Sequence, residues 1–233
     1  MQTLLSFKSY ASGSSGNLYS ITDGETTIMI DPGISWKRIQ KAFNFKTSEV
    51  KCVCLGHEHR DHSFAVEAAA KAGIDIYLLP ETRAALGLSG HRFHEIELHR
   101  AFRAGSFKVV AFPLQHDVPN CGFLFMGKCG EKAVYITDTF YSRWTFTGLT
   151  IIAVECNWSK ETLAPGLDPA VKQRLYTSHF SLKSVKQFFR DNDLSKVREI
   201  HLLHLSRDNA DPEYFRSEIE KLTGKPVYIG GYE

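Results

Sequence analysis

The sequence predicts a mixed α/β domain, and three observations carry that prediction. Short apolar or alternating runs of strand length recur along the chain. Segments with helical patterning are interleaved among them, and no linker-like stretch separates a second unit. The 233 residues, 43% hydrophobic and 23% charged, have ordinary globular composition and suffice for one well-buried core, so residues 1–233 are expected to form a single domain.

The elements follow in order. Residues 4–10, 18–22 and 27–30 read as a strand meander, punctuated by Gly13, Gly16 and the Asp23-Gly24 pair. Residues 35–43 look helical, with Ser35 as the capping residue. Residues 50–55 form a short apolar run of the buried-strand type, and residues 63–72 an alanine-rich helix ending at Gly73. A strand at 76–79 is followed by a strand-rich stretch over 92–136, broken at Gly105, Pro113, Gly122 and Gly127. The rest alternates: strand 151–155, helix 182–191, strand 198–205, helix 212–222 opened by Asp211-Pro212, and strand 227–229.

Composition excludes some classes. The longest apolar runs, such as 151–154, are strand-sized, so no membrane span is expected. The first residues lack the apolar core of a signal peptide, which points to the cytoplasm. Five cysteines, an odd number, agree with a reducing compartment. Cys52, Cys54 and Cys156 sit in apolar runs as small strand residues, and no second close pair completes a four-ligand zinc site. A net charge of +2 argues neither for nor against nucleic acid.

The chemistry concentrates in Gly56-His57-Glu58-His59-Arg60-Asp61-His62, directly after the strand at 50–55. His57 and His59 are two apart, so in extended chain they point the same way, and Asp61 and His62 follow at a helix entrance. One loop can thus aim four metal-binding groups into one cavity, and imidazole with carboxylate suits zinc and similar divalent ions. The H-E-x-x-H metalloprotease pattern fails, because position 61 is aspartate. Distant candidates lie at other strand ends: His116 in FPLQHD, Asp138 in AVYITDT and His204 in IHLLHLS. These seven groups are too many for one tetrahedral zinc and suit two metals bridged by a carboxylate.

The order HEHRDH, His116, Asp138, His204 resembles the metallo-β-lactamase superfamily. ASGSSGN at 11–17 and IDPG at 30–33 resemble its opening strands. The resemblance implies an αββα four-layer sandwich, two mixed β-sheets flanked by helices, with metals at one edge. His59 stands where the diiron flavoprotein oxidoreductases use glutamate, which favours hydrolysis. The interval between Asp138 and His204 is too short for the inserted domain of the β-CASP nucleases. SGSSGN, HEHRDH, TDT, SHFS and LLHLSRDN are similar to the compact YycJ/WalJ-like branch, whose members are regarded as 5′–3′ DNA exonucleases. The chain departs from that branch at Glu155-Cys156-Asn157-Trp158, where the branch tends to have Glu-Ser-Asn-His-Asp. It departs again at Ser178-His179-Phe180-Ser181-Leu182, where the branch has Gly-His-Leu-Ser-Asn.

What the resemblance implies is a dinuclear phosphodiesterase. One metal, zinc or manganese with iron possible, is expected on His57, His59 and His116. The other is expected on Asp61, His62 and His204, with Asp138 between them and a bridging hydroxide as nucleophile. Asp61 is placed to orient the hydroxide, and His179 to stabilise charge or donate a proton. Ser14, Ser15 and Asn17 in the glycine-rich loop, with Asn209 after the last ligand, are candidate substrate contacts. The same loop also reads as a tight turn needing glycine at positive φ. Tyr141, Trp144 and Phe146 are candidates for stacking on bases or for burial in the core. Two other functions compete with a DNA exonuclease: a small-molecule hydrolase cleaving a cyclic phosphodiester, thioester or lactone, and a scaffold without turnover. Oligomeric state is left open.

Overall fold

The computed structural model describes residues 4–231. Two sheets carry the fold. The first contains β1 (Ser6–Ala11), β2 (Leu18–Thr22), β3 (Thr27–Ile30), β4 (Val50–Cys54), β5 (Asp75–Leu78) and β6 (Phe93–Glu95), in that spatial order. The second contains β7 (Ala101–Ala104), β8 (Phe107–Leu114), β9 (Asn120–Met126), β10 (Lys132–Ile136), β11 (Ile151–Glu155), β12 (Glu199–Leu203) and β13 (Val227–Ile229), also in sequential order. Both sheets are mixed. β1–β3 pair antiparallel and β3–β6 parallel. β7–β10 pair antiparallel and β10–β13 parallel.

Strand alternation produces the layers. In β10, Ala133 and Tyr135 face the core between the sheets, whereas Val134 and Ile136 face outward. In β11, Ile151 and Ala153 face inward, and Ile152 and Val154 outward. Each outward face is covered by helices. Ile39 of α1 (Trp36–Ala42) and Val66 and Ala69 of α3 (Val66–Lys71) cover the first sheet. The second is covered by Val185, Phe188 and Phe189 of α6 (Leu182–Asp191) and by Phe215 and Ile219 of α7 (Pro212–Thr223). Strands buried on both faces read as continuous apolar runs, which explains their visibility in the sequence.

The expected helix at 63–72 is instead two short helices, α2 (Arg60–Ser63) and α3. The break falls at Ala65, whose N–H is drawn off to the Pro32 carbonyl at 2.8 Å. Ser35 stands at the N-cap position of α1 but makes no side-chain capping bond. Two helices escaped the sequence reading: α4 (Pro80–Ala85) and α5 (Pro169–Ser178). Both carry proline in the first turn, and α5 has the same Asp-Pro opening as α7, with Asp168 accepting from Ala170 N at 2.8 Å. The apolar stripe that normally reveals a helix is missing from α5, where only Leu175 and Ser178 are buried.

Candidate metal centre

Strand ends converge on one edge of the two sheets. His57, His59, Asp61 and His62 follow β4, His116 follows β8, Asp138 follows β10, and His204 follows β12. The backbone turns sharply there. Asp31, Asp138 and His204, each just past the end of a strand, have φ of 50°, 53° and 52°. Left-handed φ is uncommon for residues with side chains and clusters where geometry is held for function.

The structure brings the seven predicted groups together. Donor atoms of His57, His59 and His116 lie within 4.8 Å of one another, as do those of Asp61, His62 and His204. Asp138 lies between the sets. Its Oδ2 is 2.6 Å from His62 Nε2 and 3.6 Å from His57 Nε2, and its Oδ1 is 3.0 Å from His204 Nδ1. His57 decides whether metals fit. The side chain is fully buried, and neither ring nitrogen has a hydrogen-bond partner. A buried imidazole without partners is costly unless a cation takes up a lone pair. Burial also holds its pKa well below the usual imidazole range, which keeps the ring neutral as a ligand must be.

The opposing charges are arranged for cations. Burial would raise the Asp138 pKa, but His204 and His62 outweigh it and hold the carboxyl well below the usual range. Asp61 behaves alike, with burial opposed and overcome by His204 and His62. His116 Nδ1 donates to the Ser178 carbonyl at 3.1 Å, which turns Nε2 toward His59 Nδ1 at 3.2 Å.

Two carboxylates outside the predicted set hold it in place. Asp31 is fully buried, accepting from His62 Nδ1 at 2.7 Å, Tyr135 Oη at 2.6 Å and Gly56 N at 2.9 Å. Glu155, also fully buried, accepts from His179 Nδ1 at 2.6 Å, His204 Nδ1 at 3.2 Å, Thr139 N at 3.1 Å and Phe180 N at 3.2 Å. Each orients a ring so that the other nitrogen faces the cluster. Asp117 is a third addition, with Oδ1 3.0 Å from His116 Nε2. A signal for the first two existed: each is an acid closing an apolar strand, Asp31 after β3 and Glu155 at the end of β11.

The candidate substrate residues divide. Ser14 is exposed and lines the metal cleft, a surface cavity of about 400 Å³ shared with His59, His116, His179 and Arg174. Ser15 is exposed and accepts from Arg207 Nη2 at 3.2 Å. Asn17 does not reach the cleft surface. It is fully buried, its Nδ2 donating to the Asp61 carbonyl at 3.1 Å and lying 3.0 Å from His62 Nε2, while Oδ1 accepts from Gly13 N and Tyr19 Oη. Its amide ties the glycine-rich loop to the metal loop, which corrects its expected role as a substrate contact. Asn209 lines the cleft, but its side chain is engaged with Ala164 N and Ser206 Oγ. The loop itself is a tight turn: Gly16 N donates to the Gly13 carbonyl at 2.9 Å, and φ is 129° at Gly13 and 135° at Gly16. Trp144 and Phe146 pack against the outer core of the second sheet, while Tyr141 is exposed.

An αββα frame with this donor set at its edge defines a metal-dependent hydrolase. The chain belongs to the beta-lactamase superfamily: the model described as a beta-lactamase superfamily domain matches residues 26–201. It is 27% identical over 217 residues to the exodeoxyribonuclease WalJ of Streptococcus pneumoniae, covering 85% of this chain and 81% of that one. It is 25% identical over 237 residues to the exodeoxyribonuclease YycJ of Bacillus anthracis, covering 94% and 89%. The fold matches the metallo-β-lactamase fold protein YhfI of Bacillus subtilis with a TM-score of 0.75 at 15% identity, over 97% of this chain and 96% of that one.

Proposed function

We infer that the chain acts, as one domain in the cytoplasm, as a two-metal phosphodiesterase that shortens DNA exonucleolytically in the 5′–3′ direction. The observation that carries this reading is Asp138, whose carboxylate lies beside donor atoms of both sets, His57 of one and His62 and His204 of the other, at a surface cleft. The names of the similar chains, both exodeoxyribonucleases, support DNA as substrate. Zinc or manganese, with iron also tolerated by these donors, is the expected metal. No helix is long and apolar enough to cross a membrane among the described residues.

His57, His59 and His116 would hold one ion, and Asp61, His62 and His204 the other, with Asp138 serving both. Divalent ions there supply Lewis acidity to the diester phosphate and to a water. Around them, the chain's own residues position and protonate. Glu155 and Asp31 keep His204 and His62 in fixed tautomers. Asp61, partly exposed at the cleft, orients the attacking water. His179 is the proton donor. Burial would depress its pKa, but Glu155 and Asp138 outweigh that and push it up to about 9, so the metal-free protein carries a charged ring there at neutral pH. Its Nδ1 is spent on Glu155, leaving the Nε2 proton for the leaving oxygen or for charge building on phosphorus.

The test is direct. End-labelled single- and double-stranded DNA is incubated with the protein, with and without Mn²⁺ or Zn²⁺, beside an Asp138→Ala control. Metal-dependent stepwise shortening by the unaltered protein alone is expected. A protein loaded with two metals that leaves DNA intact would overturn the reading.

A further inference from the structure

A second cleft is larger than the metal cleft. A cavity of about 690 Å³ lies beside it, with Phe140, Tyr141, Trp158, Lys160, Lys183 and Arg190 among its lining residues. Hydrogen bonds link the linings of the two clefts. Phe140 is two residues beyond Asp138, and its N–H donates to the carbonyl of Gln115, next to His116, at 3.2 Å. Trp158 Nε1 donates to the carbonyl of His179 at 3.3 Å.

Its chemistry is uneven for a solvated surface. Trp158 and Tyr176 stack on each other at 4.6 Å and close one wall. Phe140 and Tyr141 are different. They are 38% and 49% exposed, and neither pairs with another ring among the described residues. Such large exposed rings side by side mark a binding surface. Lining the same cavity, Lys183, Lys186 and Arg190 fall on one face of α6 at intervals of three and four residues, while Leu182, Val185, Phe188 and Phe189 of that helix are buried. Lys186 is paired with Glu218. Lys160, Lys183 and Arg190 make no ion pair among the described residues, and Glu161 is the one acid among the lining residues. Unpaired cations and free ring faces in one cleft are what a flexible polyanion with stackable bases requires.

We propose that this cleft binds a single-stranded segment of nucleic acid continuous with the strand held at the metal centre. Bases stack on Phe140 and Tyr141, and phosphates run past Lys160, Lys183 and Arg190. The proposal rests on the nuclease reading and names where its substrate lies. Because stacking ignores base identity, the cleft accepts any sequence. A duplex cannot offer base faces to the rings, so single strands and unpaired ends bind best.

The test measures anisotropy of a labelled, phosphorothioate-linked oligothymidylate with the full chain. Removing both rings in Phe140→Ala/Tyr141→Ala weakens binding at least about tenfold, because each base–aromatic stack is worth about 5- to 150-fold. Lys183→Ala/Arg190→Ala weakens binding and lowers the slope of log affinity against log salt by about 1.4, at roughly 0.7 per phosphate contact on single strands. Both pairs are exposed, and circular dichroism confirms that the variants fold. DNA cleavage and hydrolysis of bis(p-nitrophenyl) phosphate are followed in parallel. If the unaltered protein binds and cleaves DNA while both variants bind as it does, the cleft proposal is overturned and the nuclease reading stands. If only the charge pair matters, and duplex binds as well as single strand, base stacking is refuted. If the unaltered protein hydrolyses the small diester but neither binds nor cleaves DNA, the nuclease reading fails and the proposal with it.

Discussion

Replacing Asp31 by asparagine tests whether a carboxylate remote from the predicted ligand set governs the metal centre. The substitution keeps the shape of the side chain. Asparagine tolerates the left-handed backbone at φ 50° as aspartate does, so the backbone is not under test. The carboxylate accepts three bonds: Oδ2 takes His62 Nδ1–H and the Tyr135 hydroxyl, and Oδ1 takes Gly56 N–H. An amide has one acceptor oxygen. Whichever way it is flipped, its NH₂ faces either the Gly56 N–H or the His62 and Tyr135 donors. At least one bond to an ionised acceptor, worth about 1.5–3 kcal/mol, is lost and a buried donor is left unpaired. The net cost is about 2–4 kcal/mol, or roughly 5–12 °C in the Tm of the metal-free protein. His62 also loses the partner that aims its Nε2, for which a drop of about 10- to 100-fold in metal affinity is expected. Competition with a chromophoric chelator reads the affinity of each site, and thermal unfolding in chelator reads the stability. A metal-free Tm and two metal affinities equal to those of the unaltered protein would refute the reasoning.

Other expectations follow from the same geometry. Gly33→Ala would place a Cβ 1.6 Å from the Asp61 carbonyl oxygen and 2.9 Å from Asn17 N, so the metal loop must move. We expect a loss of about 3 kcal/mol or more and reduced metal content, read by unfolding and metal analysis. Asp138→Ala removes the carboxylate shared by both donor sets, so metal content measured by mass spectrometry should fall below two per chain. His179→Ala should lower kcat by about 10²–10⁴-fold and leave both metals bound, since its Nε2 faces the cleft and its Nδ1 is held by Glu155. Loss of metal in that variant would make it a ligand instead. Chelation of the unaltered protein should lower Tm by about 5–10 °C for each site held at 100 times its Kd before removal.

Local pattern and tertiary placement contributed different things. Strand β11, buried on both faces, was legible residue for residue because an apolar run of that length has few other uses. The candidate metal-binding groups stood out in the sequence because histidine and aspartate gather at strand ends for few reasons other than chemistry, and the fold brings them within reach of one another. Helix α5 was hidden because it buries almost nothing, and the break between α2 and α3 depends on the Pro32 carbonyl, which no local pattern reveals.

The sequence by itself determined the class of site: which side chains can bind metal, how many, and at which strand ends. Only the tertiary structure decided which groups hold them. Asp31 meets His62 across 31 positions and Glu155 meets His204 across 49, each pair brought together by neighbouring parallel strands, and Asp31 meets Tyr135 across 104, a contact that exists only once the two sheets are stacked. The tertiary fold also turned Asn17 inward as a brace, packed Trp144 and Phe146 half-buried against the outer core, and left Phe140 and Tyr141 exposed in the cleft that the cations of α6 line. The physical reason is common to all of these. Donor chemistry belongs to the residue, whereas burial, hydrogen-bond partners and exposure belong to the surfaces that the fold presses together.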